Sequence, residues 1–189
     1  MELTMDLAKT ILAKHTTEPH LFTHAIAVSA AMGALAKHFG EDEALWSAVG
    51  YLHDVDYEKY PEEHLQHTEE LLSAEGIAPE IIRAILSHGY SVCNEVLPET
   101  TMEKSLFTVD ELTGIIHACA RMRPLGITDL EVKSAMKKWK DKKFAAGCRR
   151  ELITTGAEML GIELPALMQL CIDGMKEHAA ELGLLPKEA

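Results

Sequence analysis

Six side chains between positions 24 and 110 are of the type that holds metal ions: His24, the adjacent pair His53-Asp54, His64, His88 and Asp110. An imidazole offers a ring-nitrogen lone pair and a carboxylate offers anionic oxygen, a mixture that suits divalent transition ions. Their positions matter more than their number. His24 lies on the stripe formed by Leu21, Val28, Met32, Leu35 and Phe39 at three- and four-residue steps. His53 and Asp54 close the run Leu45, Val49, Leu52. His88 follows Ile81, Ala84 and Ile85, and Asp110 sits among Leu106, Val109, Thr113 and Ile116. Four helical patterns therefore each place a ligand-type side chain on or beside a face that must be buried. A lone histidine on such a face is ordinarily a hydrogen-bonded core residue; here the pattern is joint. A buried carboxylate without a partner costs roughly several kcal/mol. No arginine or lysine shares these stripes, so one or two divalent cations are the natural neutralisers of Asp54 and Asp110.

The elements that must position these groups read as helical almost throughout. Apolar periodicity and stop signals predict helices over about 3–15, from Pro19 to about Phe39 before Gly40, 41–54, 63–75 before Gly76, and 79–89. A long helix follows over about 100–121, and further ones to about Lys140, over 141–160 and over 163–182. Thr128-x-x-Glu131 reads as a capping box for the helix ending near Lys140. Residues 55–62 and 90–98 read as loops. No stretch alternates over strand length, so the fold class is all-α and bundle-like.

The chain has 189 residues, 47% of them apolar, enough for a sizeable core in one domain. The formal net charge of −12 argues against non-specific binding to nucleic acid or anionic membrane. No N-terminal stretch reads as a signal peptide, and uninterrupted apolar runs are shorter than a membrane span. Cys93, Cys119, Cys148 and Cys171 are scattered without a CxxC pair, as expected of reduced thiols in a cytoplasmic protein. Ten histidines is about twice ordinary usage, which matters only if several share a site.

The ordered set His24, His53-Asp54 and Asp110, on helices, resembles the H…HD…D signature of the HD-domain superfamily of metal-dependent phosphohydrolases. The flanks "THAIAVSAAMGALA" and "KSLFTVDELTGII" are similar as well. The resemblance implies an HD-domain-like helical bundle with its metal-binding core over about 20–125, and a C-terminal helical extension over about 126–189 within one domain, 1–189. A subset of that superfamily has two more histidines between the HD pair and the last aspartate and binds two metals. His64 and His88 stand in those places, with His67 as the competitor of His64. The resemblance implies that His24, His53 and Asp110 hold one ion, that His64 and His88 hold the other, and that Asp54 bridges and serves water activation. Without thiolate the donors suit Fe, Mn, Co, Ni or Zn, and Mg less well. The implied activity is hydrolysis of a small phosphate ester, a nucleotide being one candidate. The same ligand set also occurs in mixed-valent di-iron oxygenases, and a non-catalytic nucleotide-sensing module is a third reading.

A small, anionic, phosphorylated substrate needs positive charge at the mouth of the site. The densest basic segment, "EVKSAMKKWKDKKFAAGCRR" at 131–150, supplies it in sequence. Lys133 and Lys137 share a helical row, Lys142 lies on an adjacent one, and Arg123 follows the helix of Asp110. These four are the candidate substrate contacts. Asp56, Glu58, Tyr57 and Tyr60 in the loop after the HD pair are candidates for orienting ligand histidines or lining the mouth. No nucleic-acid or membrane partner is expected, and the oligomeric state is left open.

Overall fold

A computed structural model describes residues 2–187 of the chain. Nine α-helices form among them: α1 (Met5–His15), α2 (Pro19–Phe39), α3 (Glu43–Leu52), α4 (Thr68–Ala74), α5 (Pro79–Ser87), α6 (Thr101–Arg121), α7 (Val132–Trp139), α8 (Arg150–Leu160) and α9 (Leu164–Glu177). A 3₁₀ turn, Pro61–Glu63, precedes α4. The described residues contain no β-structure beyond one bridge between Tyr90 and Asn94.

Two 21-residue helices organise the bundle. α2 packs against α3, α6 and α9, and α6 packs against α2, α5, α7, α8 and α9. α2 begins at a proline that tolerates the missing amide partner, and ends at Gly40 in the left-handed conformation (φ 74°). Its buried side is small, with Ala27, Ala30, Ala31 and Gly33 beside Val28 and Met32, and the neighbours approach closely. A Cβ on Gly50 of α3 would stand 2.9 Å from Met32 and 3.0 Å from the Val28 carbonyl, so only glycine permits this α2–α3 approach. Among the described residues α2 alone is long and apolar enough to cross a membrane, but 56% of its most apolar stretch is buried inside the bundle.

α6 is pinned at its start by a true capping box. Thr100 Oγ1 accepts from the Glu103 amide at 3.2 Å, and Glu103 accepts from the Thr100 amide at 2.9 Å. The Arg83 guanidinium of α5 ion-pairs with the same buried carboxylate. Burial pushes Glu103 up, but Arg83 and the amides of Thr100 and Glu99 override it and hold Glu103 below the ordinary carboxylate range.

Between α6 and α8 the predicted elements and the observed ones part in two places. Thr128-x-x-Glu131 forms no capping box: α7 begins at Val132 with Glu131 as N-cap and no side-chain cap bond. The turn over 123–130 is held instead by Arg123, which chelates the Asp129 carboxylate at 2.8 and 2.6 Å. The helix expected over 141–160 begins only at Arg150. Residues 141–149 form a loop organised by Arg150, which donates to the carbonyls of Trp139, Asp141, Phe144 and Ala145 and lies 5.5 Å from the Trp139 ring centre. The loop passes through Ala145 with φ 46°.

Candidate metal centre

His53 is the C-cap of α3, where the helix has just ended and the ring is free to turn inward. It is fully buried, and its Nδ1–H donates to the Gly50 carbonyl at 2.8 Å, an otherwise orphan acceptor of the last turn. His88 repeats the arrangement as C-cap of α5, with Nδ1–H donating to Ile85 O at 2.6 Å. Each bond commits Nδ1 and aims Nε2 into the interior. His64 reaches the same result through a carboxylate: its Nδ1–H donates to buried Asp56 at 2.9 Å. Burial pushes Asp56 up, but the His64 ring and the Leu65 amide outweigh it and hold the carboxylate below its ordinary range. Tyr57 packs edge-on against the His64 ring at 5.1 Å.

His64 does not open a helix, contrary to the sequence reading. It lies between the 3₁₀ turn and α4, followed by Leu65 with φ 68°. A left-handed leucine costs about 1–2 kcal/mol, and its buried side chain explains why it persists. Leu65 Cδ1 sits where a Cβ on Gly89 would be, 2.3 Å from that ideal position. Leu65 follows His64 and Gly89 follows His88, so this contact brings the two imidazoles together.

The convergence is tight. His24 Nε2 lies 3.2 Å from His53 Nε2 and 2.9 Å from Asp110 Oδ1. His64 Nε2 lies 3.2 Å from His88 Nε2. Asp54 stands between the two groups: Oδ2 is 3.5 Å from His24, while Oδ1 is 3.3 Å from His53, 3.4 Å from His64 and 3.6 Å from His88. Two overlapping sets have ligand atoms close enough to share an ion, His24/His53/Asp110 and His53/Asp54/His88. The structure thus brings all six sequence-predicted residues to one place. His67 is elsewhere, with Nε2 bonded to Glu63 at 2.7 Å and its ring stacked on Tyr60.

Four imidazole nitrogens facing two carboxylates require positive charge among them. Burial pushes His53 down, but Asp54 and Asp110 outweigh it and hold the imidazole well above its ordinary value. Burial pushes both aspartates up, yet His53 holds Asp54, and His24 with His53 holds Asp110, well below the carboxylate range. Divalent cations bound by these donors would take the place of those protons. The residues fit divalent metal on donor chemistry and orientation alike.

The cluster forms the floor of a cavity of about 590 Å³, within the roughly 300–1,000 Å³ usual for small-molecule sites. Leu21, Tyr57, Val92, Phe107 and Leu152 contribute apolar wall, and His20, Glu111 and Arg149 contribute polar groups. Cys148 also lines it; burial, then Glu111, pushes its thiol up to about 11, so it stays neutral. His117 is not in this cavity. It borders a second one of about 460 Å³ on the other side of His24, its Nε2 buried without a hydrogen bond.

The four basic candidates do not reach the cluster's cavity. Lys133 and Lys137 are exposed on α7, which packs against α6 and α9, and Lys142 is exposed in the following loop. Arg123 lies thirteen residues past Asp110, roughly 20 Å along the helix direction, and is bound to Asp129. Asp110 is near the middle of α6 rather than at an end that points to Arg123. Glu58 does not orient a histidine either. It accepts from the amides of Thr17 and Glu18 and from the Thr17 hydroxyl, tying the loop to the start of α2. Glu111 and Arg149 were missed as wall residues. Glu111 is adjacent to Asp110, and its Oε2 accepts the Arg149 amide at 3.0 Å across 38 positions, a pairing with no local signature in the chain.

The family model described as HD domain matches residues 21–110, a span that contains all six clustered residues. No curated protein and no solved structure matches the chain.

Proposed function

With residues 21–110 belonging to the HD-domain superfamily of metal-dependent phosphohydrolases, we propose that this chain hydrolyses a small phosphate ester at the His/Asp cluster. The observation that carries this reading is the orientation of the donors. Three histidines have Nδ1 committed outward, to Gly50 O, Ile85 O and Asp56, and all present Nε2 to Asp54, His53 facing Asp110 as well.

His24, His53 and Asp110 would hold one ion, His64 and His88 a second, with Asp54 shared. Divalent metal there supplies a nucleophile from water near neutral pH and neutralises phosphate oxygens. The chain's own residues do the rest. Asp56 and Tyr57 fix the His64 ring, and the Gly50 and Ile85 carbonyls fix those of His53 and His88. The apolar wall lowers the polarity beside the floor and so strengthens the charge interactions there. Hydrolysis forms a bond from water oxygen to phosphorus and breaks the ester P–O bond; the proton lost by water ends on the leaving alcohol.

The test is release of phosphate from p-nitrophenyl phosphate by protein loaded in turn with Mn, Fe, Co, Ni and Zn, with metal content measured by elemental analysis. Turnover that a chelator abolishes and metal restores is expected. Protein holding one or two equivalents of each metal, yet inert on this ester and on a nucleotide panel, would overturn the reading.

A further inference from the structure

Apart from the cluster and the histidines, the charged side chains lining the cavity are Arg149 and Glu111. Arg149 follows the loop organised by Arg150 and is the N-cap residue of α8. Its amide is anchored on Glu111, which holds the backbone at the wall, but its exposed guanidinium makes no hydrogen bond or ion pair among the described residues. Three of the other four arginines are committed elsewhere, and Arg121, likewise unpaired among the described residues, borders the second cavity rather than this one. Arg83 is spent on Glu99 and Glu103, Arg123 on Asp129, and Arg150 on four carbonyls. In a protein of net charge −12, an uncommitted guanidinium held at the wall above a metal-type cluster is placed to meet an anion. Planar, always charged and rich in donors, it suits two oxygens of one phosphate.

The remaining wall restricts what that anion is attached to. Leu21, Val92, Phe107 and Leu152 offer no donor for further phosphates, the Tyr57 hydroxyl and the His20 ring add only neutral donors, and Glu111 repels them. A triphosphate or dinucleoside polyphosphate would bring several charges past one cation. A monoester brings one phosphate and leaves its organic part against apolar side chains. Resting on the proposed phosphohydrolase reading, we infer that Arg149 is the substrate-phosphate clamp of this cavity and that it selects phosphate monoesters with an apolar, ring-sized organic group.

Phenylphosphonate, a stable monoester mimic, provides a readout independent of turnover. Its affinity for metal-loaded protein is measured by calorimetry for wild type, Arg149→Gln, Arg149→Lys and, as a control, Arg123→Gln. Arg149→Gln is expected to weaken binding about 10- to 100-fold, the scale of a lost charge-assisted bidentate contact, with metal content and circular dichroism unchanged. Arg149→Lys should recover part of the loss, and Arg123→Gln should match wild type. In kinetics, wild type should favour phenyl phosphate over ATP by at least about tenfold in kcat/KM. Affinity of Arg149→Gln within twofold of wild type, or ATP turned over as well as phenyl phosphate, overturns the inference while leaving the hydrolase reading intact. Arg149-dependent phosphonate binding without any ester turnover does the reverse: the clamp stands and the hydrolase reading falls.

Discussion

Two stretches are dense in ion-binding side chains: the helices from α2 to α6, with the histidines and aspartates, and the segment 131–150, with eight lysines and arginines. In the first, the residues are scattered over 86 positions and meet within about a hydrogen bond of one another. In the second they are almost contiguous, and most point to solvent. Density along the chain is thus a poor guide to density in space. His24 and Asp110 share stripes with residues that must be buried, so core packing dictates where they point. Lys133, Lys137 and Lys142 have no such obligation: a lysine loses little by staying hydrated and gains little from one fixed partner.

Removing the centre of the first group should have the largest effect. Asp54→Ala is expected to lose at least one metal equivalent by elemental analysis and to lower phosphate release by more than about a thousandfold, with helical circular dichroism largely kept. Full retention of metal would show that Asp54 is not a shared ligand. Asp56→Ala tests the layer behind it. Removing a carboxylate that orients a ligand histidine typically costs about 10–100-fold in metal affinity, measurable by competition with a chelating dye. Affinity equal to wild type would mean that Tyr57 and the Leu65 turn suffice to hold His64.

A smaller effect is expected where α6 is anchored. Glu103 is held below its ordinary value, so its folded pKa lies under the unfolded value of about 4.3. Its contribution is therefore fully present above about pH 4.3 and is lost as pH falls through the folded value. Wild type should exceed Glu103→Gln by about 1–2 kcal/mol in urea denaturation at pH 7, with the gap closing below about pH 4. A gap that widens on acidification contradicts the assignment. The smallest effect belongs to the second stretch. Replacing Lys133, Lys137 and Lys142 together with glutamine should leave KM for p-nitrophenyl phosphate within about twofold at 0.15 M salt. A tenfold rise would return that segment to the site.

What was legible from sequence followed the same division. Pro19 and Gly40 bound α2 because each has one dominant backbone preference, and the stripes of α2, α3, α5 and α6 showed which polar residues had to be buried. The helix expected after Thr128 shows the opposite case. The local capping pattern was present, but the Arg123–Asp129 chelate shaped the turn differently. His64 was read as opening a helix, and the deciding contacts, Asp56 on its ring and Leu65 against Gly89, are tertiary. Arg149 was passed over for its lysine neighbours because its link to Glu111 joins two helices whose packing no local pattern encodes.

The loop drawn together by Arg150 lies outside the part of the chain that matches the HD-domain model. The six clustered residues lie within 21–110, and their geometry depends on close helix contacts that tolerate little change. The wall that carries Arg149 lies outside that span, and one guanidinium holding four carbonyls sets its course. Substitutions and length changes in 140–149 can accumulate without touching a ligand. If Arg149 acts as proposed, a change in this loop would alter what the cavity accepts while leaving the residues of its floor in place.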